Sequence, residues 1–127
     1  MKSYTMHFLL RDGSDYKDLA PVFRRILTEF LKAAEQVPEE EDVMEMYVKL
    51  NMIDLEKNRK PEGYNRKGKL RLVFPMDSKE FYVRAFSKAT DIETVSESIA
   101  EILDGAGISF EEVPDLDMMF ESPKKSR

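Results

Sequence analysis

The sequence predicts an α+β fold, a two-layer sandwich in which a mostly antiparallel sheet carries two helices on one face. Three observations predict it. Several short runs alternate apolar and polar residues, two longer segments repeat apolar residues at steps of three and four, and the connections are short. The predicted order is β-α-β-β-β-α-β, in a single domain of residues 1–120 with a flexible C-terminal tail at 121–127. Split β-α-β folds of the ferredoxin type are near relatives in topology.

The first strand is predicted at residues 4–10, where apolar residues occupy every even-numbered position. The stretch RDGSD then breaks the pattern with a glycine turn and helix-capping side chains. Residues 17–36 are predicted to form an amphipathic helix, because apolar residues recur at helical spacing from Leu19 to Ala34. Pro21 fits only the first turn of this helix, which ends before Pro38.

Three further strands are predicted before the second helix. The most regular alternation in the sequence places Met44, Met46, Val48, Leu50 and Met52 on one face of a strand. Residues 70–76 alternate in the same way, and Pro75 places the end of that strand or a sheet edge there. Residues 81–86 form the third of these strands, with aromatic residues on both faces.

The second helix is predicted to begin at Thr90, because Thr90 and Glu93 have the spacing of a capping box. Its apolar face runs from Ile92 to Leu103, and Gly105 or Gly107 ends it. Residues 108–113 complete the pattern as a short last strand.

The composition argues against several classes of function. The absence of cysteine excludes disulfides, cysteine nucleophiles, zinc ribbons and iron–sulfur clusters on this chain. The sequence shows no membrane-length apolar run and no secretory signal, so we expect a cytoplasmic protein without a membrane partner. His7 is the single histidine, and no pattern pairs it with a nucleophile. The five glycines match no nucleotide motif, and the acidic runs do not have EF-hand spacing. We therefore expect no enzyme activity, no metal and no cofactor.

Charge is unevenly distributed along the chain. The net charge is −3 over residues 1–42, +5 over 43–90 and −7 over 91–127. The positive middle contains the stretch EKNRKPEGYNRKGKLRL at residues 56–72, predicted as a hairpin between two strands. Its candidate phosphate-binding residues are Lys57, Arg59, Lys60, Arg66, Lys67, Lys69 and Arg71, with Tyr64 available for stacking.

The strand phases predict an outer sheet face that extends this basic hairpin. Tyr47, Lys49 and Arg71 share that face, and Tyr82, Arg84 and His7 join it if the strands are in phase. RRM-type domains bind single-stranded RNA with such a face, but the RNP1 sequence is absent and the isoelectric point near 5.0 is acidic. The alternative interpretation is a soluble loop whose charges pair with the acidic C-terminal third.

Protein recognition is the remaining function class. The chain has eight methionines, of which Met44, Met46, Met52 and Met76 are predicted to face the core. Near the C-terminus, an apolar segment is a candidate for docking to a partner; its members are Leu116, Met118, Met119 and Phe120. The alternative interpretation is that this segment folds back and covers the core of its own chain.

The sequence therefore supports two hypotheses. The first is a small non-enzymatic protein-interaction or regulatory module, a subunit of a homo- or hetero-oligomer that binds a protein partner or a second copy of itself. The second is an RNA- or DNA-binding protein that uses the basic hairpin at 57–71 and the outer sheet face.

Overall fold

The computed structural model describes residues 4–76, 78–86 and 89–114. In chain order the elements are β1 (Tyr4–Leu10), α1 (Tyr16–Leu19), a 3-10 turn (Ala20–Val22), α2 (Phe23–Ala34), α3 (Glu41–Glu56), β2 (Leu70–Val73), β3 (Glu80–Ala85), α4 (Ala89–Gly105) and β4 (Phe110–Pro114). The predicted docking segment at 116–120 and the predicted tail at 121–127 lie outside the described residues. None of the described helices is long and apolar enough to cross a membrane.

The described strands form one antiparallel sheet in the order β2-β3-β1-β4. The prediction of an α+β fold with an antiparallel sheet is therefore confirmed. The predicted count of five strands and two helices is wrong, because the described part of the chain has four strands and three longer helices. With α3 set aside, the order β-α-β-β-α-β and this strand order are those of a split β-α-β arrangement.

The core lies between one face of the sheet and the helices α2 and α4. Phe8 of β1 and Phe81 of β3 are fully buried, and their rings stack with centroids 5.0 Å apart. Phe30 of α2 and Ile99 of α4 are also fully buried in the same cluster. The helix α3 packs against α1, the 3-10 turn and α2. Because successive side chains of a strand point to opposite faces, the other half of the side chains of the strands lie on the sheet face away from α2 and α4.

The predicted strand at 44–52 is wrong, because these residues form the middle of α3. Its buried residues are Val48, Asn51 and Leu55, which recur at steps of three and four and mark the helical face that packs inward. The segment is rich in Met, Glu and Leu, which favour helix, and has acidic residues in its first turn. The alternation misled the prediction because α3 is apolar on two faces rather than one.

The other differences concern boundaries. The predicted first helix is divided at Pro21, which lies in the 3-10 turn between α1 and α2. α2 ends at Ala34, where Glu35 adopts a left-handed conformation with φ of 60°. Thr90 lies inside α4 instead of capping it, and Gly105 ends that helix as predicted. β2 ends at Val73, so Phe74 to Met76 are not part of that strand.

Candidate interaction surfaces

The basic segment is a connection from a helix to a strand, not a hairpin between two strands. Residues 57–69, called the basic loop below, join the end of α3 to the start of β2. The predicted hairpin is wrong because its first strand is a helix. The loop nevertheless returns along β2, since Tyr64 pairs with Leu72 through two backbone hydrogen bonds of 2.8 and 3.0 Å.

Asn51 holds the basic loop against α3. This side chain is only 3% exposed, and its Oδ1 accepts a 2.6 Å hydrogen bond from the Gly63 backbone N–H. Its Nδ2 donates to the Tyr47 carbonyl at 2.8 Å and to the Gly63 carbonyl at 3.4 Å. Gly63 has a φ of 75°, a conformation that glycine adopts at little cost. The loop is therefore anchored to both α3 and β2.

An aromatic cluster forms where the anchored loop meets α3. The rings of Tyr47 and Tyr64 meet edge to face with centroids 5.3 Å apart. The Arg66 guanidinium lies 5.1 Å from the Tyr47 ring and 5.7 Å from the Tyr64 ring, within cation–π range of both. Burial raises the pKa of the Tyr64 hydroxyl above its ordinary value. The three residues border an open cleft of about 430 Å³ together with Asn51 and Leu50.

The charges of the basic loop have partners close to the loop itself. Arg59 pairs with Asp54 of α3 at 2.9 Å, and Lys69 pairs with Glu35 after α2 at 3.3 Å. In the described part of the chain these two residues pair with α3 and with the end of α2, and not with the acidic C-terminal third that the alternative interpretation named. Lys60 Nζ lies 3.5 Å from the Pro61 carbonyl, while the side chains of Lys57 and Lys67 are exposed.

A second surface is the sheet face opposite the helices, called the open sheet face. Arg71 of β2, Tyr82 and Arg84 of β3, and His7 of β1 lie on it, because Phe8, Leu72 and Val83 alternate with them and are buried in the core. Tyr47 and Lys49 were predicted on this face. They lie instead on α3, as a direct result of the helix that replaces the predicted strand.

The open sheet face brings cations and aromatic rings together. Arg71 and Arg84 are cross-strand partners, and like charges in such a pair repel each other. The Arg84 guanidinium lies 5.3 Å from the Tyr82 ring, and that of Arg71 lies 5.0 Å from the Phe86 ring. The Arg71 Nε is buried without a hydrogen-bond partner among the described residues. The Arg84 Nε donates a 3.1 Å hydrogen bond to Thr5 Oγ1 on the same face.

His7 is bound to an acidic group on the same face. Its Nδ1 lies 2.6 Å from Glu80 Oε1, and Ser78 donates a hydrogen bond to the other oxygen of that carboxylate. The His7 and Tyr82 rings lie 5.1 Å apart between their centroids. These contacts hold the histidine in the sheet surface.

The third surface is the outward side of α3. Met46, Leu50 and Ile53, called the α3 stripe, are 49%, 48% and 47% exposed. At 100° per residue their side chains fall within about 60° of one another, on the side of the helix opposite Val48 and Leu55. Three half-exposed apolar side chains in one row are unusual for a surface helix, which normally shows charged or polar residues there.

The sequence analysis missed the α3 stripe because it assigned these residues to a strand. Met46 was predicted to face the core, as was Met76, which is 87% exposed. Met44 and Met52 are partly buried and pack against the core, in keeping with that prediction. The missed signal was the spacing of four and then three residues from Met46 to Ile53, which marks one helical face.

Comparison with known proteins identifies no relative. No family model, curated protein or solved structure matches this chain. Its function therefore has to be inferred from the three surfaces described above. Among the described residues, no three His, Asp or Glu side chains are arranged to hold a metal ion.

Proposed function

We propose that this protein is a non-enzymatic protein-interaction module that binds its partner through the outward side of α3. The observation that supports this proposal is the α3 stripe. Leu50 lies in the middle of the row, with Met46 and Ile53 on either side. Partners that recognise helices bind apolar residues at this i, i+4, i+7 spacing.

The size of the stripe suggests a modest affinity. Fully burying a Leu, Ile or Met side chain is worth about 1.5–3 kcal/mol, and about half of each is already buried here, so complete burial adds on the order of 1 kcal/mol per residue. Three such contributions, about 3 kcal/mol in all, are smaller than the cost of association, which is about 4–15 kcal/mol. Charged groups beside the stripe are therefore needed as well, and they also set specificity and orientation.

The proposal is tested by affinity capture from the source cells with wild-type protein and the variant Leu50→Lys. We expect Leu50→Lys to reduce recovery of the bound protein at least about tenfold, because a lysine in the middle of the row cannot be buried without a partner charge. The matched control is Val37→Lys, which changes an apolar residue of similar exposure outside α3. Equal recovery with wild type and Leu50→Lys would contradict the proposal.

The open sheet face supports a second candidate, the binding of single-stranded nucleic acid. Arg71 and Arg84 are adjacent across β2 and β3, and Tyr82 beside them offers a ring for stacking. Phosphate contacts and base–aromatic stacking are the two contributions that such binding uses. A phosphate between the arginines would also offset their mutual repulsion.

A titration with a mixed-sequence single-stranded oligonucleotide at low salt tests this candidate. If Arg71 and Arg84 each neutralise a phosphate, the double variant Arg71→Gln with Arg84→Gln makes the negative slope of log K against log salt shallower by about 1.4. The control variant, Lys57→Gln with Lys67→Gln, removes the same charge from the basic loop. Loss of binding in the control alone would move the site to the loop, and no binding by wild type would reject the candidate.

A further inference from the structure

We propose that the partner of the α3 stripe is a second copy of this chain, docked antiparallel so that the two α3 helices form a two-fold symmetric contact. This inference rests on the proposed function and names its partner. It is carried by the arrangement of apolar and charged residues along one line of the helix. Self-complementary surfaces of this kind are what a two-fold interface requires.

The apolar residues are placed to pair with themselves in the antiparallel orientation. With Leu50 opposite Leu50 of the second copy, Met46 lies about 6 Å before this point along the helix axis and Ile53 about 4.5 Å after it. Met46 of each copy therefore meets Ile53 of the other. The three exposed apolar side chains of each copy are thereby covered by the three exposed apolar side chains of the other.

The charges at the two ends of the stripe are also complementary in this orientation. Asp42 lies about 12 Å before Leu50, and Lys57 about 10.5 Å after it. Both side chains are exposed, and both lie close to the line of the stripe around the helix. In an antiparallel pair Asp42 of each copy therefore approaches Lys57 of the other, which makes two ion pairs.

The charged residues next to Asp42 and Lys57 make the start of α3 acidic and its end basic. The four residues 39–42 before and at the start of α3 are all acidic and exposed. After its end, Lys57 and Lys60 are exposed, while Arg59 already pairs with Asp54. A parallel pair would bring acidic end to acidic end and basic end to basic end. Like-charge contacts across an interface cost free energy, so the charges favour the antiparallel orientation.

The contact is small, and the dimer is correspondingly weak. A helix of 16 residues is about 24 Å long, so a single helix pair buries less surface than a standard stable interface. We expect a concentration-dependent equilibrium between monomer and dimer, with a Kd on the order of 10–100 µM.

Sedimentation equilibrium of the purified chain over a range of concentrations is the first test. Wild type and the control Val37→Lys are expected to dimerise equally. Leu50→Lys is expected to weaken association at least about 100-fold, since the two-fold axis brings the two introduced charges together. A wild-type protein that remains monomeric up to about 1 mM, well above the expected Kd, would overturn the proposal.

A charge exchange tests the orientation. Asp42→Lys and Lys57→Asp are each expected to weaken self-association about tenfold, because each turns two ion pairs into two repulsive contacts. An equimolar mixture of the two variants is expected to restore association to the wild-type level, because every contact in the mixed dimer joins opposite charges. Variants that associate as well alone as in the mixture would overturn the antiparallel arrangement.

A distance measurement gives an independent check, made simple by the absence of cysteine from the chain. A nitroxide attached to Glu56→Cys should show an axial separation of about 18 Å between the two copies if they are antiparallel. Labels attached to Lys49→Cys, near the symmetry axis, should lie close together. Short distances for both labels would indicate a parallel pair and overturn the proposal.

The outcomes separate this inference from the proposed function. If wild type is monomeric but Leu50→Lys abolishes capture of a different protein, the second copy is rejected and the interaction module stands. If wild type is monomeric and the variant changes no capture, both are rejected. If dimerisation is lost in Leu50→Lys and the captured protein is the chain itself, both are supported.

Discussion

Replacing Gly63 with alanine is expected to lower the free energy of unfolding by at least about 3 kcal/mol. Gly63 has a φ of 75°, and a left-handed conformation costs an alanine about 1–2 kcal/mol. An added Cβ would also lie 2.5 Å from the backbone oxygen of Leu72. Because that oxygen belongs to β2 and not to a flexible side chain, the loop has to move, and the Tyr64–Leu72 pairing is strained or lost.

The matched control is Gly107→Ala, measured by urea unfolding followed by circular dichroism. Gly107 has almost the same φ of 74°, but no described atom lies within 4 Å of the added Cβ. We expect this variant to lose only about 1–2 kcal/mol, which is the cost of the backbone conformation. Equal losses at the two positions would show that the close approach of Gly63 to β2 does not contribute.

Replacing Asn51 with alanine is expected to lower the free energy of unfolding by about 2–3 kcal/mol. The buried amide satisfies the Gly63 N–H at 2.6 Å and donates to two carbonyls, so its removal leaves the Gly63 N–H without this partner. A buried donor left unsatisfied costs about 1–3 kcal/mol, and a small cavity adds to the loss.

Asn65→Ala is the control for this prediction, since Asn65 is an exposed amide in the same loop. It should change stability by less than about 0.5 kcal/mol. The stability of both variants is measured by urea unfolding followed by circular dichroism. A loss below about 0.5 kcal/mol for Asn51→Ala would mean that the loop is not anchored through this amide.

Alternation gave the correct strand and the correct buried face in the segments that form β1, β2 and β3. Phe8 and Phe81 lie on the apolar side of two segments predicted as strands, and both are buried in the core. The same phase places Arg71, Tyr82 and Arg84 on the open sheet face, where they lie. A strand has a period of two, so once its apolar face is recognised the direction of every side chain follows.

α3 was not predictable in this way. Its apolar residues serve two different surfaces, the core through Val48 and Leu55 and the α3 stripe through Leu50 and its neighbours. Along residues 44–52 the apolar residues of the two surfaces together fall at every second position, which is the pattern of a strand. Which set faces the core becomes clear only once it is known that the segment packs against α1 and α2, with its other side outward.

The anchoring of the basic loop was also beyond the sequence. Asn51 is separated from Gly63 by eleven residues, and its burial depends on the loop returning across α3. In a sequence a buried asparagine looks like an exposed one. The same contact brings Tyr47 beside Tyr64 and Arg66, so this cluster of three predicted binding residues is a product of tertiary packing.

By itself the sequence determined the α+β class, the approximate positions of the four segments that form the sheet and the unequal distribution of charge, because these depend on local periodicity and composition. Only the tertiary structure decided that residues 44–52 are helical, that Arg59 and Lys69 pair with Asp54 and Glu35, and that an apolar row is left on the outside of α3. The physical reason is that burial and pairing depend on which segments meet in space. Local patterns constrain that outcome without specifying it.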